Sequence, residues 1–189
     1  WYDFGMGCLG DWGAHILDTV HEFLELGLPY EVSMQYANGH NDYFFPYSST
    51  ILFRFPQRKG MPPVDITWYD GLDNLPPIPE GYGVSGLDPN IPKTNQGDTP
   101  AAKLNPGKII YTNHFENFLL ACMGQEKTRS PFEINGVLSQ VFSLGVIAQR
   151  LNTRLFFDSR MKQITNNEFA NAMLIGTPPR KGWDEFYKL

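Results

Sequence analysis

The chain has 189 residues, 42% hydrophobic and 19% charged, and its 15 Lys and Arg against 20 Asp and Glu give a formal net charge of -5. That length suits one domain with a sizeable core and is too short to hold a nucleotide-binding domain and a substrate domain together. Scattered basic residues and a negative balance speak against nucleic acid as a partner, and no apolar run approaches the ~18 residues of a membrane span.

The chain opens on Trp1 rather than Met, as a fragment of a longer protein would, and carries no leader, so the compartment is left open, cytoplasmic or periplasmic. Residues 4–18 read FGMGCLGDWGAHILD, with Gly5, Gly7 and Gly10 in the G-x-G-x-x-G spacing of dinucleotide-binding loops. The context argues against that role. Too few residues precede Gly5 to supply the buried strand of a βαβ unit, and Asp11 would set a carboxylate where a pyrophosphate meets the helix end. The glycines are read instead as shaping a tight entry to the helix, where backbone comes close to a neighbour or a ligand. A helix is expected over 11–26, with Asp11 as its N-cap and Gly27 and Pro29 as stop signals. At about 100° per residue, Asp11, His15, Asp18, Glu22 and Glu25 share one stripe. Ile16, Leu17, Val20, Phe23 and Leu24 lie opposite as the expected core side, together with Gly13.

Strand-like runs follow at 31–37, 49–55 and 64–69, rich in β-branched and aromatic residues. Residues 71–107 are Pro/Gly-rich and form a long connection of the kind that wraps a surface or covers a site. Asn113 with Glu116 is a capping-box pattern opening a helix that ends near Gly124. Val137, Leu138, Val141, Leu144, Ile147, Ala148 and Leu151 mark the apolar stripe of the next helix. A short strand at 155–158 and a small helix at 167–174 complete a single domain over 1–189. The order predicts an α+β fold with an open, largely antiparallel sheet and helices on one face. Ile51, Phe53 and Phe55 alternate with Leu52, so the sheet is expected to be buried on both sides, packing sheet against sheet in a homo-oligomer.

Asp11 and His15, one turn apart, form the chemical centre of this reading. Taken alone, D-x-x-x-H is the pattern of an ordinary solvated helix face. Yet an imidazole beside a carboxylate is also a workable proton-transfer unit, and the crowded Gly10, Trp12 and Gly13 are wasteful on a free surface. A metal held by Asp11, His15 and Asp18 is set aside, since no further His falls at a ligand spacing. Cys8 and Cys122 stand far apart and are read as buried thiols. Trp12, Trp68, Tyr69 and Tyr111 join aromatic rings to polar ends and are candidates to line a ligand, although strand aromatics more often serve the core. Phe44, Phe45 and Tyr47 form a further aromatic cluster, either core or an exposed patch.

These residues resemble a known family. LGDWGAHILD is similar to the helix opening the second domain of the Gfo/Idh/MocA oxidoreductases. PPVDITWYDG, NHFENFLLAC, VLSQVFSLGVIAQRLNTRLFFD and NNEFANAMLIGTPPRKGW resemble later segments of the same domain. The resemblance covers nearly the whole chain except 81–107. It implies a dihydrodipicolinate-reductase-like C-terminal domain, with Asp11 and His15 as the catalytic pair. It also implies that NAD or NADP and a catalytic lysine belong to an N-terminal Rossmann domain absent from this sequence. The implied substrate is a polyol, sugar or sugar derivative. An NAD-dependent glycoside hydrolase and a noncatalytic dimerisation module stand as alternatives.

Overall fold

The computed structural model describes residues 1–58, 60–77 and 113–187. The chain forms two compact units, one of Trp1–Leu75 with Phe132–Leu189 and one of Pro76–Pro131.

In the first unit, helix α1 (Gly7–Phe23) leads into strands β1 (Glu31–Asn38), β2 (Ser48–Phe55) and β3 (Val64–Asp70). The second unit contributes helix α2 (His114–Cys122), and the first resumes with helix α3 (Phe132–Leu151), strands β4 (Arg154–Asp158) and β5 (Gln163–Ile164), helix α4 (Glu168–Ile175) and a 3-10 turn at Asp184–Tyr187. The five strands make one open antiparallel sheet in the order β3-β2-β1-β4-β5, so the fold is α+β.

Register explains the sheet's two faces. Val32 lies opposite Phe53 and Leu155, Ile51 opposite Trp68, and Phe53 opposite Ile66. With side chains alternating along each strand, these residues share one face, and there they join Leu9, Leu138, Val141, Leu144 and Ala148 of the helices in one buried core. The other face is mostly polar. Glu31, Ser33, Arg54, Asp65, Thr67 and Arg154 lie on it, with Leu52, Tyr69 and Phe156 among them. Arg54 meets Glu31 at 3.5 Å and Asp65 at 3.4 Å, and Arg154 meets Glu31 at 3.3 Å. Leu52 thus stands between Ser33 and Thr67, beside the ion-paired row, and is not the mark of a second continuous core.

Two glycines set how closely the helices approach. A Cβ on Gly13 would fall 2.8 Å from the Phe142 ring, and one on Gly145 would fall 2.5 Å from Leu9 and 2.7 Å from Phe53. Any side chain there would push α1, α3 and β2 apart.

Helix α1 departs from the sequence expectation in extent and facing. It starts at Gly7, so Asp11 is a second-turn residue, and the N-cap position belongs to Met6, which makes no side-chain cap. Its buried stripe is Leu9, Gly13 and His21, with Leu17 packed against the core. Of the expected core side, Gly13 and Leu17 do face the core, whereas Ile16 is 54% exposed and Phe23 72%, an apolar stripe the fold leaves uncovered. At the far end Arg58 closes the helix, donating from Nε to the Leu24 carbonyl at 2.7 Å and from Nη1 to the Pro62 carbonyl at 2.8 Å.

The second unit is held by local bonds. Asn113 caps α2 by accepting the Glu116 N–H at 2.9 Å. The buried Asn117 amide donates to Glu126 Oε2 and to the Lys127 carbonyl and accepts the Arg129 N–H, tying down the turn after the helix.

Candidate active site

Asp11 and His15 stand on the second and third turns of α1, one turn apart, and both are exposed. No hydrogen bond or ion pair joins them in this state. The Trp12 indole meets the His15 ring edge-on, with centroids 5.9 Å apart at 62°. Asp18 is half-buried, and among the described residues no three His, Cys, Asp or Glu side chains are placed to hold a metal ion. His15 lies beyond the first turn of the helix, where the effect of the helix dipole has faded. Asp11 and Asp18 are the acidic groups of its own helix nearest to it in sequence.

The other histidines are differently employed. His21 is 7% exposed, with Nε2 2.8 Å from the Gly27 carbonyl oxygen and its ring against Phe55. His40 Nε2 lies 3.0 Å from the Arg150 carbonyl oxygen. His114 begins α2 and touches the Phe115 ring.

The remaining candidates do not converge on one surface. Trp12 is on the exposed side of α1 beside His15, whereas Trp68 is 6% exposed within the core. Tyr69, the next residue of β3, turns to the other face of the sheet and is half-buried. Tyr111 and most of the 71–107 connection lie outside the described residues.

The glycine triplet has a packing explanation. Gly7 sits at φ 63°, and a Cβ there would fall 2.6 Å from the Phe45 ring. One on Gly10 would collide with the Met6 side chain. Residues 1–6 form no strand. Asp11, one turn in, is not the obstacle to a pyrophosphate; Phe45, filling the space at Gly7, is. These residues do not fit a dinucleotide cradle.

Sequence reasoning missed a buried polar cluster. Ser49 Oγ donates to Asp70 Oδ2 at 2.9 Å, Trp68 Nε1 donates to the same oxygen at 3.1 Å, and Gln149 Nε2 donates to Ser49 Oγ at 2.8 Å. Asn74 seals its edge, donating to the Ser49 carbonyl at 2.7 Å. Cys8, in the first turn of α1, is exposed rather than buried, as is Cys122. Partial desolvation pushes the Cys8 thiol pKa up, and the negative charges of Asp70 and Asp11 add to the rise. Beside the cluster the Tyr2 hydroxyl is pushed up to about 12 by desolvation, partly offset by Arg150, and it has no hydrogen-bond partner among the described residues.

Comparison of the chain with protein families, with characterised proteins and with solved structures finds no match. Among the described residues no helix is long and apolar enough to cross a membrane.

Proposed function

We propose that this chain is the second domain of a nicotinamide-dependent oxidoreductase acting on a polyol, sugar or sugar derivative. In this reading His15 takes or returns the proton of the substrate hydroxyl, while Asp11 orients the ring or stabilises its charged form. The observation that carries it is the placing of Asp11, Trp12 and His15 together on the exposed side of α1, while His21 is buried against a backbone carbonyl. Round the helix from that stripe, Ile16 and Phe23 are exposed as well, so the uncovered part of α1 is apolar as well as polar, which suits a surface covered by substrate and by another domain.

Because the glycine triplet does not fit a dinucleotide, the reading assigns NAD or NADP to a separate nucleotide-binding domain, and the residues of this chain supply only the proton side of the chemistry. The resemblance to the Gfo/Idh/MocA oxidoreductases supports the class, and the α+β fold with an open antiparallel sheet is compatible with it. A sheet-to-sheet homo-oligomer belongs to the same proposal, using the mostly polar face with its ion-paired row.

The test is product analysis on the enzyme completed with its nucleotide-binding domain, offered a panel of polyols and glycosides. Reduced cofactor accumulating with an oxidised polyol or sugar supports the dehydrogenase. Released sugar with no net cofactor change indicates the glycoside hydrolase instead, and turnover of neither kind leaves the dimerisation module.

A further inference from the structure

On the side of the fold where α3 and α4 meet the segment before α1, an open cleft of about 380 Å³ is lined by Val146, Ile147, Met173 and Leu174, with Tyr2 and Arg150 among its polar groups. Its size falls in the range of small-molecule sites, and a few polar groups set among apolar walls is the usual composition of such sites.

Its charge is one-sided. Among the described residues Arg150 is the cation that lines the cleft, and no carboxylate lines it. The guanidinium stands 5.3 Å from the Tyr2 ring centroid, which holds it in place. Its carboxylate partner is Asp3, 3.4 Å away and 68% exposed, a contact of the weak and readily exchanged kind. Gly5 and Met6 also border the cleft, just before the first turn of a 17-residue helix that has no side-chain cap and no acidic residue in that turn. Such a helix start favours a negative charge. Tyr2 itself is 7% exposed and its hydroxyl is buried, so it serves this cleft through its ring under the guanidinium and not as a donor to a ligand.

From this convergence we infer that the cleft binds a small amphiphilic carboxylate, its anionic group on Arg150 and its aliphatic or aromatic body against Val146, Ile147, Met173 and Leu174. Asp3 is then an internal competitor that already presents a carboxylate to the same guanidinium. The site is separate from Asp11 and His15 and does not depend on the dehydrogenase reading.

The experiment is a titration of the isotopically labelled 189-residue chain with hexanoate, followed by amide resonance shifts, with hexanamide as the neutral isostere. Saturable shifts centred on Val146, Ile147, Met173 and Leu174 are expected. Arg150→Gln should weaken hexanoate about ten- to a hundredfold, the scale of a lost charge-assisted hydrogen bond. Asp3→Asn, which removes the competitor, should tighten it severalfold. The resonance spectrum of each variant reports its folding in the same experiment. Absence of saturable shifts, equal binding of hexanamide, unchanged affinity in folded Arg150→Gln, or hexanoate binding no tighter in Asp3→Asn would each overturn the inference.

Discussion

Replacing Gly145 by Ala tests the packing at the centre of the fold. In an exposed helix position this change favours folding by roughly 0.5–1 kcal/mol, because Gly loses more backbone freedom on folding than Ala. At Gly145 the added Cβ would come within 2.5 Å of Leu9 Cδ2, 2.7 Å of Phe53 Cζ and 3.1 Å of Phe53 Cε1. Favourable carbon–carbon contact lies near 3.5–4.0 Å, so both neighbours must retreat by about 1 Å. Leu9 and Phe53 are each 1% exposed, one on α1 and the other on β2, so neither can swing out to solvent. Overpacking of this kind costs about 1–3 kcal/mol. The net expectation is destabilisation of about 1–2 kcal/mol, read from urea denaturation midpoints at constant m-value. Gly136→Ala, in the same helix with nothing within 4 Å of its added Cβ, is the control and should stabilise. A Gly145→Ala protein as stable as Gly136→Ala would refute the claim that glycine fixes the spacing of α1, α3 and the sheet.

Two further outcomes follow from the polar groups. The Tyr2 hydroxyl is raised to about 12 in the folded chain against 10.0 for the free side chain, so the fold favours its protonated form. That contribution to stability is complete below pH 10 and is lost as the pH rises from 10 towards 12. An ultraviolet phenolate titration should show a late-ionising tyrosine that disappears in Tyr2→Phe, and an unchanged titration curve would contradict the assignment. The proposed sheet-to-sheet oligomer predicts a dimer by sedimentation at tens of micromolar. Arg54→Glu should weaken it by placing a third acid beside Glu31 and Asp65, whereas a strict monomer in the unmodified chain would count against it.

Much of the architecture was legible because its signals are local. The Asn113 cap with Glu116 three residues on, the apolar stripe of α3 and the three β-branched strand runs each depend on residues within one or two turns or one strand, and each element formed within a few residues of its expected bounds. The facing of α1 was legible only in part, for a physical reason. Its apolar residues span a wide arc: Gly13 and Leu17 of the expected side do pack inward, but the buried stripe continues through Leu9 and His21 and leaves Ile16, Val20 and Phe23 exposed. The true start at Gly7 was equally hidden, since Met6 gives no capping signal and Gly7 adopts a left-handed φ. Strand β5 has two residues, too few for any periodicity. The buried cluster of Ser49, Asp70 and Gln149 joins positions 21 and 100 residues apart, a pairing that only the tertiary fold creates. Of the candidate site, the Asp11–His15 spacing was readable from one helix, whereas Trp68 and Tyr69 were separated by the alternation of a strand.

The central claim rests on His15 as the proton-transfer residue, and kcat of the completed enzyme tests it most directly. His15→Ala should lower kcat by about 10²- to 10⁴-fold, the usual contribution of a general acid or base, with cofactor affinity unchanged. His21→Ala serves as the comparison, since His21 is buried against the Gly27 carbonyl and should affect stability more than turnover. A His15→Ala enzyme that keeps near-normal kcat would contradict the account.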